Sequence, residues 1–287
     1  MRIGLSTYSL HRLLQRGETT VADALDWMAD QGGEHVEVVP VGFHLAGNEE
    51  LADAIRDRAA ARGLAVSNYA IGANFLQPDG AAQEREIARV QAEVRIAGRL
   101  GARLMRHDVA WLAPAEATIE RFEAALPQLA EACARVADFA AELGITTSVE
   151  NHGYFVQASD RVQRLLLAVG RANFRTTLDV GNFWCADEEP LAAVKKNLPF
   201  ASMVHLKDFY RRFPQPHLDE GFFPTASGFL LRGAALGHGD LDLPAIVRAI
   251  KASGYDGFLS VEFEGQEDEY WGSRVGLKAA RALWERA

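Results

Sequence analysis

Four acidic or imidazole side chains stand at the ends of four successive strand-like segments in the second half of the chain. The segments read TTSVENHG, TTLDVGN, MVHLKDF and LSVEFEG, and they supply Glu150, Asp179, His205 and Glu262, respectively. Each of these residues follows an apolar or β-branched run and precedes a loop. A charged side chain at the end of a buried strand is costly unless it is paired or bound to a metal. The pattern therefore predicts one divalent metal ion with four protein ligands.

The donor set narrows the choice of metal. Three carboxylates and one imidazole neutralise a divalent ion and leave room for substrate oxygens. An oxygen-rich set with one nitrogen favours Mn²⁺, with Mg²⁺, Co²⁺ and Zn²⁺ as alternatives. Glu264 competes with Glu262 for one position, because it lies two residues further along and points to the same face of the strand. Taken alone, each acid is better explained by a salt bridge or a helix cap, but four on consecutive strands favour the metal.

Short β-rich runs alternate with longer helical runs, and eight such pairs predict the elements that position these residues. Helical spacing is clear after Thr20, where Val21, Leu25 and Met28 fall on one face. Glycines at the ends of helical runs predict left-handed helix caps; these are Gly32, Gly63, Gly101, Gly144, Gly170 and Gly254. The predicted strands are Ile3–Ser9, His35–Val39, Ala65–Ile71, Arg103–Val109, Thr146–Asn151, Arg175–Val180, Ser202–Asp208 and Gly257–Phe263.

This alternation predicts an α/β fold, a single (β/α)₈ TIM barrel formed by residues 1–287. An open doubly wound sheet is the rival architecture, and it usually carries a glycine-rich phosphate turn after its first strand. Here that turn reads STYSLHRLLQRG, without the GxGxxG pattern. In a barrel the carboxyl ends of all strands converge on one rim, where metal ligands and substrate groups would meet.

The composition limits the classes of function. The chain has 287 residues, of which 48% are apolar, and a formal net charge of −9; such a negative surface disfavours nucleic acid as a partner. No apolar run reaches the ~18 residues of a transmembrane helix, so we expect no membrane partner, and the N-terminus shows no signal-peptide pattern. Cys133 and Cys185 form no CxxC pair, which is typical of a cytoplasmic protein.

One connection is much longer than an ordinary barrel loop. It runs from Phe209 to Gly239, after the seventh strand, and reads FYRRFPQPHLDEGFFPTASGFLLRGAALGHG. Long loops in compact domains are usually lids or binding loops, and a loop after a barrel strand lies on the catalytic face. A lid or substrate wall and a subunit contact both stay open as interpretations. The phenylalanines of the loop would suit a homodimer or homotetramer interface; they are Phe213, Phe222, Phe223 and Phe229.

The motifs SVENHG, TLDVGN, VHLKDFYR, GHGDLDLPAIVRAI and GYDGFLSVEFEG resemble those of the xylose-isomerase-like sugar phosphate isomerase/epimerase superfamily, the AP endonuclease 2-type TIM barrels. The resemblance covers nearly the whole chain in strand order and is strongest from Glu150 to Gly265. The superfamily includes ketose 3-epimerases, hydroxypyruvate isomerase, inosose dehydratase and endonuclease IV. Its motifs specify the superfamily well and the substrate poorly, so we expect a small-molecule sugar or keto-sugar substrate.

The resemblance implies that Glu150, Asp179, His205 and Glu262 ligate one metal. From the ketose 3-epimerases it also implies that Glu150 and Glu262 exchange a proton with the carbon next to the substrate carbonyl. The metal then polarises the carbonyl and stabilises the enediolate that forms, while two carboxylates on opposite faces remove the proton and return it. Arg211 lies six residues after His205, as does an arginine of the epimerases that contacts substrate oxygens; a solvated loop arginine is the equal alternative.

One position departs from the epimerase pattern. Asn182 stands three residues after Asp179, where those epimerases carry a histidine. Asparagine can hydrogen-bond a sugar hydroxyl but cannot shuttle a proton at neutral pH. The alternative is therefore a metal-dependent lyase or dehydratase acting on a 3-keto sugar, glycoside or inosose, with a histidine base. An endonuclease IV-type phosphodiesterase is less favoured, because its three-metal cluster needs further histidines and acids and its substrate is a polyanion.

Other polar and aromatic side chains lie on the same predicted rim. His152 follows Glu150 by two residues and Lys207 shares the inward face with His205, so both are candidate catalytic groups. A structural histidine, or ordinary aromatic packing, is the competing interpretation for such residues. The candidate substrate contacts are Glu37, His107 with its neighbour Asp108, Asn182, Arg211 and Trp111, with Trp184 and Phe75 as further aromatic rings that could stack on a sugar. No phosphate-binding turn follows strands seven and eight, which favours an unphosphorylated substrate.

Overall fold

The computed structural model describes residues 1–215, 217–218 and 220–287. Eight parallel strands form a closed barrel: Arg2–Ser6 (β1), His35–Val38 (β2), Ala65–Ile71 (β3), Leu104–His107 (β4), Thr146–Glu150 (β5), Phe174–Asp179 (β6), Ala201–Leu206 (β7) and Phe258–Val261 (β11). Three short strands lie between β7 and β11, namely Asp208–Arg212 (β8), Phe223–Pro224 (β9) and Leu230–Ala234 (β10). Neighbours around the barrel follow the order β1, β11, β7, β6, β5, β4, β3, β2, which confirms the predicted (β/α)₈ TIM barrel.

The helix start predicted at Thr20 and the six predicted glycine helix caps are confirmed. The Thr20 side chain accepts the N–H of Asp23 at the start of the second helix, and Val21, Leu25 and Met28 on one face of that helix are buried. The six glycines predicted as helix caps all have a positive φ, which glycine adopts without a Cβ clash. The helices are His11–Gln15 (α1), Val21–Asp30 (α2), Glu49–Ala61 (α3), Gly80–Arg99 (α4), Ile119–Glu142 (α5), Ser159–Val169 (α6), Pro190–Asn197 (α7), Leu243–Ala252 (α8) and Glu269–Arg286 (α9).

The first strand is shorter than its sequence pattern predicts. The predicted strand Ile3–Ser9 ends at Ser6, whose hydroxyl accepts the N–H of Tyr8 at 3.2 Å and starts a 3₁₀ helix over Thr7–Leu10. The predicted strand Ala65–Ile71, in contrast, matches β3 at both ends. A local hydrogen bond from a serine side chain to the backbone competes with the sheet, and the alternation of apolar residues does not reveal it.

The long connection predicted after the seventh strand is confirmed, and it contains a small antiparallel sheet in the order β8, β10, β9. Asp208, predicted as the last residue of the seventh strand, is the first residue of β8. Its carboxylate accepts the backbone N–H groups of Phe209, Gly237, Gly239 and Leu241, so it ties the end of the connection back to its start. Residues 216 and 219 of this connection lie outside the described part of the chain.

The interior of the barrel differs at its two ends. At the amino-terminal end the ring of His35 packs against Gly4, where an added Cβ would lie 2.7 Å from that ring, and Nε2 of His35 contacts the carbonyl of Leu259 at 2.9 Å. At the carboxyl-terminal end the register pairs Asp179 of β6 with His205 of β7. The barrel therefore brings predicted metal ligands onto one rim. Among the described helices, none is both long and apolar enough to cross a membrane.

Candidate metal centre and substrate cavity

Glu150, Asp179, His205 and Glu262 lie together at the carboxyl-terminal rim of the barrel. One ligand atom of each residue lies within 4.8 Å of the other three, and all four side chains are buried. Glu150 and Asp179 are the last residues of β5 and β6, His205 is the penultimate residue of β7, and Glu262 directly follows β11. The structure thus brings together the four residues that the strand-end pattern selected.

Two atoms in this cluster are buried without a hydrogen-bond partner among the described residues, namely Oδ2 of Asp179 and Nδ1 of His205. Nδ1 of His205 lies 3.6 Å from Glu150 and 3.9 Å from Glu262. Oδ2 of Asp179 has an ion-pair partner in Nζ of Lys207 at 3.4 Å. Buried polar atoms normally have hydrogen-bond partners, so these two atoms indicate that a further binding partner fits between the side chains. Carboxylate oxygens and an imidazole nitrogen are suitable ligands for a divalent metal ion. The four residues therefore form a candidate site for such an ion.

A carboxylate holds the other side of the His205 ring. Nε2 of His205 lies 2.8 Å from Oε2 of Glu37, and the same oxygen accepts the side-chain N–H of Asn68 at 2.8 Å. Burial raises the pKa of Glu37, but His205 and Asn68 outweigh burial, and the net pKa lies below its ordinary value. Metal-binding histidines commonly have such a carboxylate partner, which fixes the ring. Glu37 was predicted as a substrate contact; it lines the cavity, but its carboxylate is paired with this histidine.

Arg106 anchors Glu150. Nη2 of Arg106 lies 2.6 Å from Oε2 of Glu150 and 3.1 Å from Oδ1 of Asp108. The other oxygen of Glu150 accepts the side-chain amide N–H of Asn182 at 3.1 Å. Burial raises the pKa of Glu150, but Arg106 and His205 outweigh burial and hold the pKa well below its ordinary value. Glu150 is therefore a carboxylate at neutral pH.

Lys207 makes the corresponding contact with Glu262. Nζ of Lys207 lies 2.6 Å from Oε2 of Glu262 and 3.0 Å from Oε2 of Glu264. Burial raises the pKa of Glu262 to about 7, and the positive charges of Lys207 and His205 only partly offset this rise. The two glutamates of the cluster therefore differ, since burial raises the pKa of Glu262 and Arg106 lowers that of Glu150. A bound cation would lower the pKa of both carboxylates.

The cluster opens into a cavity of about 230 Å³. Nδ1 of His152 lies 3.3 Å from Oδ1 of Asp108 in the wall of this cavity. A second cavity of about 120 Å³ adjoins the first and shares His152, Lys207 and Glu264 with it. Trp111 and Asn182 line the second cavity. Both predicted catalytic groups outside the metal cluster, His152 and Lys207, therefore face the space that is open to a substrate.

Two aromatic candidates lie away from these cavities, on the outer face of the barrel wall. His107 is fully buried, with its ring centroid 5.6 Å from that of Phe75 and 6.0 Å from that of Phe174. Burial lowers the pKa of His107 to about 4, and its Nδ1 contacts the carbonyl of Asp108 at 2.9 Å. The structure therefore brings neither His107 nor Phe75 to the metal cluster.

Arg211 lies in a separate surface cavity formed with the small antiparallel sheet. Its guanidinium carbon is 4.2 Å from the ring centroid of Phe229 and 5.6 Å from that of Trp184. Nη2 of Arg211 lies 3.7 Å from Oδ1 of Asp187. In this arrangement Arg211 and Trp184 contact each other rather than the space above the metal ligands.

Arg106 and Tyr8 line the main cavity, and the strand-end pattern missed both. Side chains alternate along a strand, so Arg106 and Asp108 face the inside of the barrel and His107 faces outwards. The sequence signal for Arg106 was its charge within a short strand, because a buried charge needs a partner and therefore points to a nearby acidic group. Tyr8 escaped notice because it belongs to the 3₁₀ helix that the sequence predicted as strand.

The match to a known protein family follows the same architecture. Residues 25–284 match the family model for the xylose isomerase-like TIM barrel. The chain belongs to this family. The barrel superimposes on that of the probable 3-DHS dehydratase AsbF from Bacillus anthracis with a TM-score of 0.77, at 14% identity and over 98% of this chain and 99% of that one. For a D-psicose 3-epimerase structure obtained with D-fructose, the TM-score is 0.76 at 16% identity, over 99% of each chain.

A curated relative of this xylose isomerase-like barrel is the inosose dehydratase of Lacticaseibacillus casei. It is 26% identical over 159 residues, which are 54% of this chain and 53% of the relative. The matched region thus spans about half the length of the curated relative. Proteins similar to this chain therefore include dehydratases as well as an epimerase, all with small sugar-like or cyclic substrates in their names.

Proposed function

We propose that this xylose isomerase-like barrel is a metal-dependent isomerase or epimerase of a sugar or keto sugar. It removes a proton from the carbon next to the substrate carbonyl, passes through an enediolate, and returns the proton. The observation that carries this proposal is the buried cluster of Glu150, Asp179, His205 and Glu262, whose two glutamates line the main cavity. Glu150 is paired with Arg106 at 2.6 Å, whereas Glu262 is paired with Lys207 at 2.6 Å. Two carboxylates in different environments can accept and donate the proton in turn.

The remaining groups prepare the site for that transfer. Glu150, Asp179, His205 and Glu262 would hold a divalent ion, in the first place Mn²⁺ and otherwise Mg²⁺, Co²⁺ or Zn²⁺. When bound, such an ion would supply Lewis-acid polarisation of the substrate carbonyl. Glu37 keeps the His205 ring in place. Lys207 offsets the negative charge of the carboxylates, and its buried ammonium can donate to a substrate oxygen. Arg106 keeps Glu150 in the cavity.

A lyase or dehydratase is the second candidate, and two observations favour it. Asn182, which cannot transfer a proton at neutral pH, occupies the position of the epimerase histidine, and it is bonded to Glu150 instead. His152 contacts Asp108 in the cavity wall, 3.3 Å away. In this reaction His152 is the base: it removes the C–H proton next to the carbonyl and gives that proton to the oxygen on the carbon beyond. The C–O bond breaks, a C=C bond forms, and water or an alcohol leaves.

Domain organisation, compartment and oligomeric state are further parts of the proposal. We propose that residues 1–287 form one domain and that the protein works in the cytoplasm as a homodimer or homotetramer. Two features support this setting: Cys133 and Cys185 are both buried and unpaired, as in reducing compartments, and Phe213 of the long connection is 72% exposed. Size-exclusion chromatography with light scattering tests the assembly.

Hydrogen–deuterium exchange at carbon tests the proposed reaction. The Mn²⁺-loaded protein is incubated in D₂O with ketoses, 3-keto sugars and inososes, and the products are followed by NMR. We expect deuterium next to the carbonyl of at least one substrate, and the product separates an epimer from an unsaturated lyase product. Chelation should abolish the exchange and Mn²⁺ should restore it. Absence of exchange from all substrates, with metal bound, would refute enolisation.

A further inference from the structure

The site consists of two adjoining cavities, and only the first contains the proposed reaction centre. The first, of about 230 Å³, is lined by Glu150, His205 and Glu262. The second, of about 120 Å³, lies beyond Lys207 and His152. Small-molecule sites usually measure about 300–1,000 Å³, so neither cavity alone reaches that range, whereas the two together do. The shared wall indicates one ligand that extends through both.

The two cavities differ in chemistry. The first is lined by charged side chains, among them Glu150, Lys207 and Glu262, and also by the aliphatic side chains of Val39, Val41 and Ile71. The second has four aromatic side chains in its wall together with the amides of Gln157 and Asn182; the aromatic residues are Trp111, Tyr154, Phe209 and Phe223. Aromatic faces with a few fixed polar groups are the surroundings that bind a ring with an apolar face and a polar edge.

Trp111 offers the largest open aromatic surface of this second cavity. It is 57% exposed, although an indole in a folded protein is normally well buried. Its position requires Gly153, because a Cβ there would lie 2.9 Å from Cδ1 of Trp111, and Gly153 also has a φ of +76°. The indole is therefore held at the surface by its surroundings and available for stacking.

Tyr154, which directly follows Gly153, lines the same cavity in a costly backbone conformation. Its φ is 61°, in the left-handed region that costs a non-glycine residue ~1 kcal/mol or more. The backbone N–H donates to Gln157 at 2.6 Å, and the hydroxyl donates to the carbonyl of Pro224 at 2.8 Å. These contacts fix the ring between the β5 loop and the small sheet. Backbone strain that the surroundings maintain is concentrated at ligand sites.

The tip of the small sheet closes the outer side of the second cavity. The backbone N–H of Ala226 donates to the carbonyl of Cys185 at 2.8 Å, and that of Ser227 donates to Asp187 at 2.6 Å. Phe223 of β9 lines the cavity from this side. The wall is therefore built from the β4, β5 and β6 loops and the small sheet, all fixed to one another by hydrogen bonds.

We propose that the second cavity binds a second ring, joined by a glycosidic bond to the ring that reacts above the metal ligands. The substrate class is then a glycoside in its keto form rather than a free monosaccharide or inosose. This inference rests on the proposed function for the identity of the reacting ring. The second ring stacks on Trp111, and its polar edge meets His152 and Glu264, which line both cavities.

Equilibrium binding of glycosides that do not react tests the second cavity by itself. The probes are D-glucose, phenyl α- and β-D-glucoside, maltose and cellobiose, titrated into the Mn²⁺-loaded protein by calorimetry. Phenyl glucosides carry an aromatic second ring and the disaccharides carry a sugar, so the probes separate these two sources. At least one glycoside should bind about tenfold more tightly than glucose, the gain expected from one stacked ring.

Substitutions test whether the tighter binding of glycosides than of glucose arises in the second cavity. Trp111→Ala should abolish the preference for the glycoside over glucose, and Trp111→Phe should retain most of it. Trp271→Ala is the matched control, because it removes another partly exposed indole, one that packs against His238; the preference should survive there. The proposal is overturned if no glycoside binds more tightly than glucose, or if the preference survives Trp111→Ala.

The two proposals fail in different ways. A glycoside preference that depends on Trp111, without deuterium exchange for any keto sugar, would refute the proposed reaction and leave the second-ring site standing. Exchange with keto sugars, without any glycoside preference in the binding experiment, would refute the second-ring site alone.

Discussion

Nε2 of His205 and Oε2 of Glu37 lie 2.8 Å apart, and both side chains are fully or almost fully buried. This contact occupies one ring nitrogen and leaves Nδ1 facing Glu150 and Glu262. Glu37, 168 positions away in the sequence, thereby determines which ring nitrogen of His205 can bind a metal. For the proposed metal site, we expect Glu37 to fix the orientation of the His205 ring whatever the substrate is.

The first prediction concerns that contact. Glu37→Gln can still hydrogen-bond His205 but lacks the negative charge, so metal affinity should fall by about 10–100-fold. Glu93→Gln is the control, because Glu93 accepts the hydroxyl of Tyr69 away from the two site cavities. Competition with a fluorescent chelator measures both affinities. Equal affinity in Glu37→Gln and the unmodified protein would show that Glu37 does not support the ligand.

The second prediction separates a metal ligand from a ligand that also transfers protons. Asp179→Ala should lose bound metal and activity together. Glu262→Gln should keep part of the metal, because an amide oxygen still coordinates, but turnover should fall by about 10²–10⁴-fold because the amide cannot accept the proton. Metal analysis and NMR exchange on the same samples measure both quantities. Full activity in Glu262→Gln would remove Glu262 from the acid/base role.

The third prediction concerns protons released when metal binds. Burial gives Glu262 a pKa of about 7 in the metal-free protein. Burial lowers the pKa of His205, but Glu37, Glu150 and Glu262 outweigh it and hold the pKa well above its ordinary value. Metal requires both groups deprotonated, so two protons should be released below pH 7 and about one just above it. Affinity should therefore rise with pH, more steeply below pH 7.

Calorimetry of Mn²⁺ binding in two buffers with different ionisation enthalpies counts these protons. At pH 6 the Glu262→Gln variant should release about one proton fewer than the unmodified protein, and at pH 8 the two should agree. The same count for both proteins at pH 6 would contradict the assignment of one released proton to Glu262.

The fourth prediction links acid stability to two buried histidines, His35 and His107. Burial lowers the pKa of each to about 4, whereas the unfolded chain takes up the proton near pH 6.5. Protonation therefore favours the unfolded chain. The free energy of unfolding is unaffected by these two histidines above pH 6.5 and decreases as the pH falls from 6.5 towards 4. Each histidine should contribute about 3 kcal/mol of this decrease.

Denaturant unfolding of the metal-free protein between pH 4 and 7 measures that slope. His107→Phe removes one of the two groups and keeps an aromatic ring beside Phe75, so the slope should decrease by about one proton. His44→Gln replaces an exposed histidine and should leave the slope unchanged. An unchanged slope in His107→Phe would contradict the prediction.

The barrel and the composition of the metal cluster followed from local sequence. Alternating strand and helix patterns, and glycines at helix ends, predicted the eight barrel strands because each signal lies within about 20 residues. The four cluster residues were found in the same way. A barrel gathers all its carboxyl-terminal strand ends on one rim, so four strand-end residues had to meet once the fold was known.

The contacts that tune the cluster depended on the tertiary structure. Arg106 meets Glu150 across neighbouring strands, and Glu37 meets His205 across the barrel interior. Sequence alternation alone did not reveal that Arg106 faces inwards and His107 outwards, because the register of β4 sets the face. The small sheet likewise holds Arg211 against Trp184 and Phe229.

The sequence by itself thus determined the fold and the four residues that meet at its rim, whereas their metal chemistry stays a prediction. Only the tertiary structure decided which carboxylate is ionised, which nitrogen of His205 is free, and where Trp111 stands. The physical reason is that a pKa or an exposed ring face depends on every group within a few ångströms, and most of those groups are distant in sequence.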